Sequence, residues 1–111
     1  MSQTTTLFIL LLAAILEAGG DAIVRTALHS SSGIARTLTF LAGAIVLFAY
    51  GWVVNSPPWD FGKLLGIYVV FFFVVAQLIS WIFFKQQPTG AVLLGGLLIL
   101  SGGAVIAFSN R

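Results

Sequence analysis

Glu17, Asp21 and Arg25 follow one another at four-residue intervals inside the first apolar run of a chain that carries almost no charge. Residues four apart share one face of a helix, so the three groups form a ladder along that face. The run opens at Leu7, and Glu17 lies ten residues further on, roughly 15 Å along a helix. That depth is near the middle of a hydrocarbon layer about 30 Å thick. A charged carboxylate there costs about 2.5–3.5 kcal/mol. A proton or a bound cation removes that cost, and a group that can take either in turn suits proton-coupled exchange of cationic solutes. A permanently protonated Glu17, hydrogen-bonded to another helix, would instead act as interhelical glue. Asp21 has two readings: an ion pair with Arg25, or a second acid in the same pocket. Arg25 itself is close enough to the helix end to extend to the headgroups.

The neighbours of Glu17 are small. Ala13, Ala14 and Gly20 leave room for a ligand beside the carboxylate, and they equally permit close helix packing. In the third apolar run, Tyr68 is a candidate cation-facing ring, and Trp81 is a further candidate for lining the pocket. Gln77 is expected to face another helix, and His29 to lie in a surface loop. The chain has one histidine and no cysteine. With no ligand cluster, no glycine-rich phosphate loop and no nucleophile–base pair, neither a metal, a cofactor nor an enzyme activity is expected.

The elements that must hold these groups follow from composition. Hydrophobic residues make up 59% of the chain and charged residues 7%, against about 25% charge in soluble domains. The fold class is all-α integral membrane: one domain over residues 1–111, with four transmembrane helices at about 7–25, 37–54, 63–84 and 90–108. Each run is long enough to cross a bilayer, and open strands are excluded because lipid leaves backbone groups unsatisfied. Pro57 and Pro58 end the second run, and the Lys85-Gln86-Gln87-Pro88 break ends the third. Met1 to Thr6 has no positive charge of the kind that opens a signal peptide, so the first helix is expected to be retained. Loops one and three share a side and carry Arg25, Arg36 and Lys85; the other side carries Lys63 and Arg111. That near-balance leaves two readings: one fixed orientation with both termini outside, or a chain that inserts both ways. No basic run points to nucleic acid.

Helix four carries Gly95-Gly96 and, seven residues on, Gly102-Gly103. Such a repeat aligns small residues along one face, and close van der Waals packing of that kind drives helix association in lipid. These four glycines are the candidate dimer interface. A single four-helix unit has little interior for a carboxylate, and pairing two chains would enclose one. The functional unit is therefore expected to be a dimer. Ser101 and Ser109 need only bond back to their own helix.

These residues together resemble the small multidrug resistance family. Leu16-Glu17-Ala18-Gly19-Gly20 is similar to its Glu-centred helix-one motif, with Arg25 where a basic residue commonly ends that helix. Ser80-Trp81-Ile82-Phe83-Phe84 resembles the end of its third helix. Gly95 to Gly102 resembles the glycine-spaced dimerisation motif of its fourth. Ala49-Tyr50-Gly51, and Phe61-Gly62-Lys63 followed by Tyr68, look closer to the YnfA-type branch. The resemblance implies a homodimer, antiparallel by preference with parallel pairing possible, in the bacterial or archaeal inner membrane. It implies export of quaternary ammonium, guanidinium-type or other lipophilic cations against protons. The shared site falls on Glu17, with Tyr68 in the place of a helix-three pocket aromatic.

Three features depart from that pattern. Val69 to Phe73 stand where the family has hinge glycines, with Gly66 the only nearby substitute. Leu65 replaces another pocket aromatic, and Asp21 is an added acid. The expected function is a proton-coupled exporter of small or lipophilic cations. The alternative, suggested by the glycine-poor third helix, is a non-transporting membrane dimer with an assembly or lipid-organising role.

Overall fold

In the computed structural model, which describes residues 1–109, the chain forms four helices: α1 (Gln3–Leu28), α2 (Ile34–Val54), α3 (Phe61–Phe84) and α4 (Gly90–Ala107). All four are long and apolar enough to cross a membrane. This is the expected all-helical, multi-pass architecture. Arg111, counted above among the loop charges, lies outside the described residues.

The helix ends differ from the expected ones for local reasons. α1 begins four residues before the apolar run because Ser2 caps it. The Ser2 Oγ accepts from the Thr5 backbone N–H at 3.1 Å, satisfying a donor that would otherwise lack a partner. Thr6 Oγ1 donates to the Ser2 carbonyl at 3.1 Å. At the other end the helix continues to Leu28, where the Ala27 carbonyl accepts from Ser30 Oγ at 2.9 Å and from Arg36 Nε at 3.1 Å. Arg36 thus ties the start of α2 to the end of α1. Gly33 makes the turn between them at φ 131°, a conformation open to glycine and strained for other residues. α3 ends with Lys85 in the left-handed conformation at φ 56°. There the Gln86 N–H donates to the Ser80 carbonyl at 3.0 Å, closing the helix in the manner usually assigned to glycine.

The helices form an open layer. α1 is central and packs against α2 and α3, and α4 packs against α3 alone. The extents are 52 × 34 × 19 Å, and a helix with side chains is about 10–12 Å across. The shortest dimension therefore leaves no room for an enclosed interior. The buried cluster runs along α1 through Leu10, Ala13, Ala14 and Ala18, and meets Leu64, Ile67, Tyr68 and Val75 of α3. Large apolar side chains such as Phe8, Ile45, Trp52, Leu97 and Leu98 point outward, as lipid-facing residues do.

Small residues set the helix seams. A Cβ on Gly20 would fall 2.7 Å from Leu47 Cδ2, and one on Gly43 2.7 Å from Val24 Cγ2. These two glycines let α1 and α2 approach. The glycine pairs of α4 split between two faces. Gly96 is filled by the Phe73 ring and Gly103 by Val70, both from α3, whereas Gly95 and Gly102 have nothing within 4 Å. The four-glycine interface is therefore corrected: Gly96 and Gly103 serve the chain's own α3–α4 seam. Adjacent residues on a helix point about 100° apart, so one member of each pair must face away. Gly66 is corrected likewise. Its missing side chain makes space for Ile106 Cδ1, 2.7 Å from where a Cβ would stand, so it is a packing residue in this arrangement.

Candidate proton and cation site

Glu17 is half-buried on α1, facing α3. The Tyr68 hydroxyl donates to Glu17 Oε1 at 2.7 Å, and lies 3.4 Å from the Ala13 carbonyl. Tyr68 is 4% exposed, so this bond is made away from the lipid surface. A hydrogen bond to a charged group contributes about 1.5–3 kcal/mol, which offsets much of the cost of a carboxylate at this depth. The contact across 51 residues of sequence brings together the two groups expected to form the core of the site.

Tyr50 of α2 completes this arrangement and was missed as a site residue. Its ring lies 5.6 Å from that of Tyr68, inclined by 32°, and its hydroxyl is within electrostatic reach of Glu17 and Asp21. A phenol in the middle of an otherwise apolar run was the signal available in the sequence. The argument applied to Glu17, that a polar group in lipid needs a partner, applies equally to it. Phe72 continues the row of rings, 6.3 Å from Tyr68. α1, α2 and α3 thus each contribute one polar group; the Tyr68 hydroxyl binds the carboxylate, and the Tyr50 ring packs against that of Tyr68.

Asp21 is exposed one turn further along α1. No ion pair joins it to Arg25 among the described residues, because the Arg25 guanidinium instead lies 5.3 Å from the centre of the Phe84 ring. The ion-pair reading of Asp21 is thereby corrected. Both residues line a cleft of about 250 Å³ between α1 and α3. Its apolar wall includes Ala18, Phe72 and Ile79, and its rim Ser80 and Gln86.

The remaining expected pocket residues divide. Ala13 and Ala14 are fully buried on α1, and the Ala13 carbonyl adjoins the Tyr68 hydroxyl. Gly20 packs against Leu47 of α2 and contributes to the seam. Trp81 is 51% exposed and does not line the cleft. It sits one residue beyond Ser80, on the outward side of α3 in the single chain. Ser101 and Ser109 donate to the Leu97 and Ile106 carbonyls at 2.7 Å each, within α4 and its end. No cluster of metal-ligating side chains occurs among the described residues.

The family model described as "Uncharacterised BCR, YnfA/UPF0060 family" matches residues 1–111. The chain belongs to the YnfA/UPF0060 family. A UPF0060 membrane protein of Nitrosospira multiformis is 32% identical over 111 residues, covering 100% of this chain and 98% of the relative. One from Clostridium perfringens is 27% identical, covering 100% and 99%. One from Herpetosiphon aurantiacus is 32% identical over 79 residues, covering 68% and 72%. No solved structure matches the chain. The resemblance to the YnfA-type branch, carried by Ala49-Tyr50-Gly51 and by Tyr68, is borne out. Those two motifs supply Tyr68, which bonds Glu17, and Tyr50, which packs against Tyr68, in this YnfA/UPF0060 protein.

Proposed function

We propose that the protein is a proton-coupled exporter of small or lipophilic cations that works as a homodimer. The observation that carries this reading is the Tyr68–Glu17 hydrogen bond in the middle of the membrane-spanning layer. The Tyr68 hydroxyl gives this carboxylate one fixed hydrogen bond, and no fixed cation pairs with it among the described residues. A proton and a substrate cation then compete for one group. The neighbouring ring faces suit a cation with an apolar body.

The dimer is supported by the open layer. α4 packs on α3 alone, and Gly95 and Gly102 present an open strip to a further helix. A second chain laid against this one would enclose two copies of Glu17. Antiparallel pairing agrees with the near-equal loop charges and is the arrangement preferred here; the bacterial inner membrane is the location it implies.

The test is transport in proteoliposomes. Glu17→Gln abolishes proton-driven uptake of a substrate cation, while the protein still assembles. Retained uptake would sink the assignment.

One observation favours a second reading. Gly66 is occupied by Ile106, and Val69 to Phe73 supply no other glycine in that stretch of α3. A helix without a point of flexure suits a non-transporting dimer with an assembly or lipid-organising role. Absence of both proton flux and binding across a broad panel of cations would select it.

A further inference from the structure

The cleft between α1 and α3 is distinct from the Glu17 carboxylate and opens towards the ends of both helices. α1 and α3 run in the same direction, separated by one intervening helix, so their C-terminal ends lie on the same side of the membrane. Arg25 stands in the last turn of α1 and Asp21 one turn deeper. The cleft they line has a volume of about 250 Å³. Three features give it the character of a binding site. Asp21 supplies a carboxylate that no arginine or lysine of the described residues neutralises. Arg25, the nearest cation along the helix, is held over the Phe84 ring at 5.3 Å. Phe72 forms part of the cleft wall, and its ring centre lies 6.3 Å from that of Tyr68. Phe72 therefore connects the cleft to the ring that binds Glu17.

We propose that this cleft is an outer station for a monovalent cation with an apolar body, with Asp21 as its carboxylate and Phe72 as the partition from the Glu17 site. A cation entering from the side of loops one and three meets Asp21 first. Its apolar body rests against Phe72 and Ile79, where a ring face also attracts the charge. Rotation of Phe72 about χ1 would then open the way to Tyr68 and Glu17. Arg25, at the mouth, repels the arriving cation and limits how long it stays. As a step in export this station rests on the function proposed above. Binding to the cleft does not, and the two are separable by experiment.

The probe is benzyltrimethylammonium, which joins one fixed charge to one ring. Its binding is measured by calorimetry on the full chain in nanodiscs, and its uptake in proteoliposomes. Glu17→Gln keeps one weak site, and Glu17→Gln with Asp21→Asn loses it. Asp21→Asn alone raises the KM for uptake several-fold and leaves kcat within about twofold. Arg25→Ala tightens the weak site of the Glu17→Gln protein several-fold, an effect that a merely structural arginine would not produce. The proposal is overturned if Glu17→Gln protein binds no probe, or if its residual binding is the same with Asp21→Asn. If wild-type protein transports nothing but Asp21-dependent binding persists, the export reading fails and the cleft assignment stands.

Discussion

Tyr68 of α3 donates its hydroxyl to Glu17 of α1 across 2.7 Å. The bond joins the only glutamate of the chain to a ring that is itself fixed between Tyr50 and Phe72. Removal of that single oxygen isolates its contribution, because the ring packing stays in place. Tyr68→Phe should lower kcat/KM for cation-driven proton flux by about 10- to 100-fold. That range corresponds to roughly 1.5–3 kcal/mol for a hydrogen bond to a charged group. The protein should elute and melt as the wild type does, so flux in proteoliposomes is the deciding measurement. An unchanged rate would mean that Tyr68 only packs.

Cation binding should weaken as pH falls. A protonated Glu17 is neutral and offers a cation no charge to bind. Where a proton and the cation compete for this one group, affinity should drop by up to about tenfold per pH unit, as one proton displaces one cation. Calorimetric titrations across a pH series would show this dependence, and Glu17→Gln should abolish most of it. Asp21, Tyr50 and Tyr68 are the other ionisable groups around the carboxylate. Asp21→Asn should therefore leave the steeper component intact.

The α4 glycines should separate into two classes. A Cβ at Gly96 would meet the Phe73 ring at 2.6 Å, and one at Gly103 would meet Val70. Gly96→Val and Gly103→Val should destabilise the α3–α4 seam by about 1–3 kcal/mol, as overpacking does. Thermal melts in detergent would report it. Gly95→Val and Gly102→Val meet nothing within the chain and should leave its melting intact. If a second chain packs there, they should shift the dimer towards monomer in cross-linking and light scattering.

The α1–α2 seam should respond in the same way. Gly20→Val and Gly43→Val each place a side chain against a neighbour across the seam, Leu47 and Val24 respectively. A loss of about 1–3 kcal/mol is expected from each. The two sites face each other across one seam, so a double-mutant cycle should show coupling beyond simple addition. Melting of the single and double variants would measure it.

The helices, their number and the membrane environment were legible in the chain because they rest on one-dimensional properties. An apolar run of bilayer length bounded by Pro57-Pro58 or by Lys85 to Pro88 has few alternatives. The need of Glu17 for a polar partner was legible for the same reason: its cost depends on depth, and depth is counted along the run. The start of α1 was not read from hydropathy, because Ser2 extends it by a cap bond, which hydropathy does not record.

Three other matters were decided only by the tertiary structure. Spacing alone left Asp21 equally suited to Arg25 or to a pocket. The ring of Phe84, from the far end of α3, took the guanidinium and left the carboxylate in the cleft. Spacing placed Gly95 with Gly102 and Gly96 with Gly103, but only the placement of α3 showed that Gly96 and Gly103 are filled while Gly95 and Gly102 are open. Tyr50 and Trp81 looked alike as aromatics in apolar runs; one turned out to stack beside Glu17 and the other to face outward. By itself the sequence determined which helices exist and that Glu17 needs a partner, since both follow from the free energy of moving groups into hydrocarbon. Which residue partners it depends on how each helix is rotated and which neighbours it meets. That choice is made by packing between residues tens of positions apart, and it appears only once the helices are assembled.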